Sequence, residues 1–299
     1  MSQKVGFVGL GTMGLPMTKH LVDKGFETYV KSRSRGPIEE AIQYGAIEVE
    51  SYKELMETAD IVMTCLPLPE TVIDVYEGED GLIAGLSQGK ILIDHSTVDR
   101  ETNVRVAEQI KEKGGAFLDA PVSGGPMGAK AGTLTIMCGG EADSFERSKE
   151  VLGAYGDYIV HVGPIGSGTV VKLANNMVIG VHQAVLGECY LFVEKAGVDP
   201  AIAYEIIKRS AGFSKSMEWS VDAILDRAFD PRFSINLLHK DIGLALKLGE
   251  QLGIPLEMVE KGEERVRAAK EQYGHEDVSA IIRPLEEKLG LELRRKSSS

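Results

Sequence analysis

The pattern of apolar and polar positions changes character about halfway along the chain. Up to about residue 162, short β-rich apolar runs alternate with stretches of helical periodicity. The runs predict strands at Val5–Gly9, Glu27–Lys31, Ile61–Leu66, Ile91–Asp94, Phe117–Asp119, Leu134–Cys138 and Tyr158–Val162. Helical spacing falls between most of them, as at Thr12–Lys24, Glu70–Tyr76, Arg100–Lys113 and Ala142–Tyr155. Such alternation implies a parallel, doubly wound sheet, and unbroken runs such as "DIVMTCL" and "KILID" suit strands buried on both faces. After "GPIGSG" (Gly163 to Gly168) only helical periodicity remains. It predicts helices at Val170–Lys195, Pro200–Ser210, Met217–Arg227, Ile235–Leu252, Pro255–Glu271 and Ser279–Leu289. Pro200 and Pro255 fall at or near first turns, where a missing N–H costs nothing. The expected class is α/β: a doubly wound parallel-sheet domain over residues 1–163, then an all-α domain over residues 164–299, joined by a long helix.

Composition narrows the functional classes. A chain of 299 residues with 43% hydrophobic content can build two packed domains. No run of about 18 residues lacks a charge, so no membrane span is expected. The N-terminus enters a strand directly, without the series of segments that marks a secretory signal. Cys65, Cys138 and Cys189 are odd in number and set in apolar runs. They read as reduced core thiols of a cytoplasmic protein, with no metal site implied. A net charge of −12 argues against nucleic acid as a partner. The terminal "RRKSSS" reads as a solvated tail.

The most specific chemistry lies in "VGFVGLGTMGLPM", where Gly9-Leu10-Gly11-Thr12-Met13-Gly14 leaves a strand and opens a helix. Gly9 permits a tight turn, Gly11 lets backbone approach a pyrophosphate, and Gly14 lets helix and strand pack closely; this is the dinucleotide-binding arrangement of a Rossmann domain. An NAD enzyme usually carries an acid about 20 residues on, at the end of the second strand. Here that stretch is "VKSRSR", with Lys31, Ser32, Arg33, Ser34 and Arg35 and no acid. A carboxylate would repel a 2′-phosphate, whereas arginine offers it a planar donor fork. NADP(H) is therefore the expected cofactor and NAD(H) the alternative. Arg33 is the principal contact, with Ser32, Ser34 and Arg35 in support. Leu66-Pro67 and Ser96-Thr97, each at a strand end, are expected along the cofactor, with Asp99 capping the next helix. His95, beside Asp94, reads as structural.

Two stretches bear on the substrate. Ser123-Gly124-Gly125 can present a hydroxyl and successive amides to a carboxylate, or can be a plain glycine turn. In "GSGTVVKLANNMVIG", Lys172 and Asn176 are four residues apart and share a helical face otherwise rich in apolar residues. A free lysine has a pKa of about 10.4, and burial lowers it by several units. Such a lysine can give a proton to a carbonyl oxygen during reduction and take it back during oxidation.

Four stretches, in order, carry a resemblance: "GFVGLGTMGLPM", "DAPVSGG" (Asp119–Gly125), "GSGTVVKLANN" (Gly166–Asn176) and "LLHKDIGLAL" (Leu237–Leu246). Together they resemble the β-hydroxyacid dehydrogenase family, which includes 3-hydroxyisobutyrate dehydrogenases and tartronate semialdehyde reductases. The resemblance covers essentially the whole chain. It implies that Lys172 is the catalytic acid/base and Asn176 a contact that orients substrate. Ser123, Gly124 and Gly125 would bind the substrate carboxylate, and Thr97 would lie near nicotinamide and substrate. Lys240 would close over the cofactor from the helical domain, with Phe233 nearby. It also implies an NAD(P)-dependent oxidoreductase on a small carboxylate-bearing aldehyde or hydroxy acid, assembled as a homodimer or homotetramer. Among substrates, 2-hydroxy-3-oxopropionate (tartronate semialdehyde) suits NADPH-driven reduction; 3-hydroxyisobutyrate, succinate semialdehyde and glyoxylate are alternatives. His20 and Thr18 depart from residues common in the family's first helix, with little functional effect expected. Met217 and Trp219 are candidates to shape the pocket.

Rival readings are weaker. The 6-phosphogluconate dehydrogenases share the lysine helix but are much longer and have histidine where this chain has Asn175. Tyr204 and Lys208 form a Tyr-x-x-x-Lys spacing far from the cofactor domain. His161, His182, His239 and His275 show no ligand spacing. A nucleotide sensor on a retired dehydrogenase fold is the non-enzymatic alternative, and it has no need of Lys172, Asn176 or the Ser-Gly-Gly loop.

Overall fold

A computed structural model describes residues Gln3–Lys296. The chain divides into two compact units, the first running to Lys172 and the second starting at Leu173. In the first, strands are β1 (Lys4–Val8), β2 (Glu27–Lys31), β3 (Ile47–Glu48), β4 (Ile61–Thr64), β5 (Ile91–Asp94), β6 (Ala116–Asp119), β7 (Val122–Ser123), β8 (Leu134–Gly140) and β9 (Gly156–Gly163). Its helices are α1 (Gly14–Asp23), α2 (Arg35–Tyr44), α3 (Tyr52–Thr58), α4 (Pro69–Glu77), α5 (Arg100–Glu112), α6 (Gly125–Ala131) and α7 (Ala142–Leu152); α8 (Ser167–Lys195) starts here and continues into the second unit.

The strand order is β3-β2-β1-β4-β5-β6-β8-β7, with β9 against β8. Pairing is parallel from β3 to β6, and β8 reverses against β6 and β7. Alternate side chains explain the layering. Val5, Phe7, Ile61, Met63, Ile91, Ile93 and Leu118 pack with Met17 and Leu21 of α1, Ile38 of α2 and Val151 of α7. Their neighbours Val8, Val62, Leu92 and Phe117 pack on the other side with Leu55 of α3, Val72 and Tyr76 of α4 and Val106 of α5. Both faces are covered, which is why the strands read as unbroken apolar runs. The parallel α/β expectation therefore holds, with the reversal at β8 added.

In the second unit, α8 is followed by α9 (Pro200–Ile207), α10 (Lys215–Asp226), α11 (Ile235–Gln251), α12 (Glu257–Tyr273), a 3-10 turn (Val278–Ile282) and α13 (Arg283–Leu289). Asp199, Ser214 and Ser234 cap α9, α10 and α11 by accepting the amides of Ala201, Met217 and Leu237. A Cβ on Gly180 would lie 2.4 Å from Ile242 Cδ1, so this glycine sets how closely α8 approaches α11. By length and composition α8 could cross a bilayer, with a mean hydropathy of 1.2. However, its Asn176 and Gln183 are buried and bonded to Asp241 and Ser220, as in the core helix of a helical domain. The terminal "RRK" is not a loose solvated end. Leu293 is buried, the Arg295 amide donates to the Leu225 carbonyl, and its guanidinium bonds Asp222 and Asp226 of α10. Ser297–Ser299 lie outside the described residues.

His95 is built into the first unit's core. Its Nδ1 lies 2.7 Å from the Ala120 carbonyl oxygen, its Nε2 lies 2.9 Å from the Tyr155 hydroxyl, and Phe7 stacks on the ring. Burial pushes its pKa down to about 4 from an ordinary 6.5. Its structural reading thus has a physical consequence. The unfolded chain binds a proton at higher pH than the fold, so stability from this site is complete above about pH 6.5 and is lost as pH falls toward 4. Asp119 acts oppositely: burial raises its pKa from 3.8 to about 6, so its contribution is lost as pH rises through 6. His95→Gln should remove the acid-side loss, which has an upper bound of roughly 3 kcal/mol. Urea midpoints measured from pH 7 to 4.5 should fall less steeply for the variant than for the wild type. Parallel slopes would refute the assignment.

Candidate active site

Parallel strands place their carboxy ends along one edge, and there the first unit collects its chemistry. Between β1 and α1, Gly9 has φ +92°, and a Cβ on it would lie 2.3 Å from the Cys65 carbonyl oxygen. A Cβ on Gly14 would lie 2.0 Å from the Gly9 carbonyl oxygen. Both glycines are thus demanded by packing. Gly11 is not, since a Cβ there meets nothing within 4 Å. Leu10 is buried and Met13 packs on the core, so only their backbone faces the turn, whereas Thr12 is exposed. The start of α1 has no side-chain cap and no acid in its first turn. Open backbone and a helix N-terminus fit a pyrophosphate.

At the end of β2, Ser32 is half-buried and Arg33 and Ser34 are exposed; Ser34 begins α2 without a side-chain cap bond. Arg35 is exposed as well. Its guanidinium is committed to Glu39 at 3.0 Å and Glu48 at 2.7 Å. Leu66 and Pro67 follow β4, and Thr97 follows β5. These two loops are stitched together, because the Leu66 amide donates to Ser96 Oγ at 2.8 Å, and Ser96 donates to Asp94. Thr64 Oγ1 also donates to Asp94 at 2.7 Å and pairs with the Tyr76 hydroxyl. Asp99 caps α5 through the Thr102 amide, as expected.

Ser123 pairs with Thr135 across β7 and β8, and Gly124 and Gly125 follow with φ +131° and +61°. His20 ties α1 to this segment, its Nε2 lying 3.1 Å from the carbonyl oxygens of Ala129 and Lys130 at the end of α6. Little functional effect is expected of His20, and the bond it makes here is a structural bridge. Lys172 is half-buried in the second turn of α8.

In the second unit, Asn176 is 0% exposed and its Nδ2 donates to Asp241 at 2.6 Å, while Asn175 donates to its Oδ1. Lys240 pairs with the same Asp241 at 3.0 Å. Asn176 and Lys240 are thus brought together by a residue the sequence reading missed, although "KD" was in view. Phe233 stands just before α11, its amide donating to Asp277. Met217 is a buried core residue of this unit, and Trp219 is exposed. Lys208 stacks over the Tyr204 ring, a local contact that explains the Tyr-x-x-x-Lys spacing.

Comparison with known proteins matches residues 4–163 to the NAD binding domain of 6-phosphogluconate dehydrogenase. Residues 166–285 match the NAD-binding domain of NADP-dependent 3-hydroxyisobutyrate dehydrogenase. The chain is 36% identical to 2-(hydroxymethyl)glutarate dehydrogenase of Eubacterium barkeri, over 97% of each. It is 35% identical to 2-hydroxy-3-oxopropionate reductase of Escherichia coli, over 95% of this chain and 97% of that one. The chain belongs to the β-hydroxyacid dehydrogenase family. A solved 3-hydroxyisobutyrate dehydrogenase of Mycobacterium tuberculosis, with L-serine, superposes with a TM-score of 0.87 at 29% identity, covering 95% of this chain and 99% of that one. As a β-hydroxyacid dehydrogenase the protein is an NAD(P)-dependent oxidoreductase, acting in a family whose substrates are small hydroxy acids and semialdehydes.

The glycine geometry separates packing from binding in this β-hydroxyacid dehydrogenase. Gly14→Ala should destabilise the fold by more than about 2 kcal/mol in urea. Gly11→Ala should leave stability within about 0.5 kcal/mol and weaken cofactor binding at least tenfold by fluorescence titration. Equal stability losses for the two would contradict this division.

Proposed function

We propose that the protein uses NADPH to reduce the aldehyde carbon of a small 3-oxo acid, giving the 3-hydroxy acid, with tartronate semialdehyde as the first substrate. The observation that carries this reading is Lys172, half-buried early in a helix whose first turn is pressed on Asp119 at the end of β6 and on Met137 of β8. In this role its ammonium gives a proton to the carbonyl oxygen and recovers one in the reverse direction. The bound nicotinamide supplies hydride. Asn176 orients the substrate, Ser123, Gly124 and Gly125 hold its carboxylate, and Thr97 stands at the reacting end. The turn Gly9–Gly14 takes the pyrophosphate, Ser32, Arg33 and Ser34 the 2′-phosphate, and Leu66 and Pro67 the nicotinamide half. Phe233 and Lys240 contribute from the helical domain. The absence of an acid at residues 31–35 supports NADPH, as does a family description that is itself NADP-dependent.

A second substrate reading, 2-(hydroxymethyl)glutarate, is supported by the relative at 36% identity. Tartronate, methylmalonate and succinate semialdehydes and glyoxylate differ by a hydroxyl, a methyl or a chain carbon, and one methylene is worth about 1–3 kcal/mol in discrimination. We place the functional domain boundary at residues 163/164, in line with the family matches. The protein acts in the cytoplasm as a homodimer or homotetramer. Val178, Val185 and Phe192 recur every seven residues on α8 and are exposed, Phe192 at 75%, and Ile202 and Ile206 extend the apolar surface on α9. A second copy would cover such a face.

Steady-state kinetics tests the function. Tartronate, methylmalonate and succinate semialdehydes and glyoxylate are assayed with NADPH and NADH, and 2-(hydroxymethyl)glutarate in the oxidative direction. The best kcat/KM is expected for tartronate semialdehyde with NADPH, and Lys172→Ala should lose about 10³-fold in kcat while still binding NADPH. Turnover of none of these would favour the sensor, and substantial activity in the variant would move the proton role elsewhere.

A further inference from the structure

The lysine helix is capped by a residue far away in the chain. At the end of β6, Asp119 is 1% exposed. Its Oδ1 accepts the Gly166 amide at 2.7 Å and its Oδ2 the Thr169 amide at 2.9 Å. From α5, the buried Asn103 donates its Nδ2 to Thr169 Oγ1 at 2.7 Å. Two glycines make the approach possible. A Cβ on Gly139 would lie 2.4 Å from Asp119 Oδ1, and one on Gly168 would lie 2.1 Å from the Met137 carbonyl oxygen. The first turn of α8 is therefore fixed in both rotation and depth against the sheet.

Gly168 and Thr169 stand four and three residues before Lys172, so the pinned face of the helix is also the face that bears the lysine. Helical side chains lean back over the preceding turn, which carries Lys172 toward the strand ends. A carboxylate also complements the positive end of a helix. Burial raises its pKa to about 6, even with two amides holding the charged form. An anion kept at that desolvation cost points to a demand on position.

We propose that Asp119 is a positioning residue for the reduction: its grip on the Gly166 and Thr169 amides holds α8 so that the Lys172 ammonium meets the substrate oxygen. The proposal rests on the reading of Lys172 as the acid/base. Asp119→Asn turns one acceptor into a donor facing an amide, which loosens the first turn and leaves the dinucleotide turn untouched.

A double-mutant cycle tests this with tartronate semialdehyde and NADPH. Asp119→Asn should lower kcat about 30- to 100-fold, with NADPH affinity changed less than about threefold. Combined with Lys172→Ala, it should cause no further loss, because a residue acting through the lysine has nothing left to position. A multiplicative loss in the double variant, or an unchanged kcat in folded Asp119→Asn, overturns the proposal. Should Asp119→Asn fail to fold by circular dichroism, Asn103→Ala enters the same cycle with the same expectation, and additivity there is equally fatal. Lys172→Ala with wild-type turnover would refute the acid/base reading itself, whereas an inactive Lys172→Ala with an additive cycle refutes only the positioning role.

Discussion

The parallel pairing of β1 with both β2 and β4 is the constraint on which the rest of the site depends. From β1 the sheet extends outward in two directions, and the crossover chains leave its carboxy edge toward opposite faces. The chain parts there, so a crevice opens at the edge of the strands beside the first glycine turn. Every first-unit group with a proposed role lies at the end of a strand or in the first turns of the helix after it. Side chains need not be brought together one pair at a time, because the strand direction does it for all of them.

That edge is also where the core stops being apolar. Thr64, Asp94 and Asp119 are register partners at the ends of β4, β5 and β6, all buried. Each buried acid serves neighbouring backbone or hydroxyl groups. Asp94 takes the Ser96 amide and hydroxyl and thereby braces the Leu66 loop; Asp119 takes two amides at the start of α8. Buried polar groups are costly unless their bonds are made, and bonds of this kind are specific in geometry. The loops are held rigidly for that reason, and preorganised loops are what hydride and proton transfer between small molecules require. In contrast, Cys138 is a bystander, its thiol pushed up to about 12 by burial.

Local signals made most elements legible. Glu27–Lys31 and Ile91–Asp94 were expected within those bounds, and every expected helix of the second unit has a counterpart. The pairs β3 and β7 have two residues each, too short for any periodicity to register. The glycine turn was readable because its function is local, carried by backbone within six residues. Asp119, His20 and Asp241 were missed as organising residues because their partners lie far along the chain: 47 residues from Asp119 to Gly166, and 65 from Asn176 to Asp241. The commitment of Arg35 to Glu48, 13 residues on, was hidden for the same reason. So was the clasp of Arg295 on α10, which made a structural end look like a loose one.

The central claim is that the strand-end edge binds the dinucleotide and presents Lys172 to the substrate oxygen. A crystal structure of the protein with NADP+ and a non-reacting 3-hydroxy acid tests it most directly. The account predicts pyrophosphate on the backbone from Gly9 to Met13 and Lys172 Nζ within hydrogen-bonding distance of the substrate hydroxyl. Pyrophosphate seated elsewhere, or the amine turned into bulk water with both ligands bound, would contradict it.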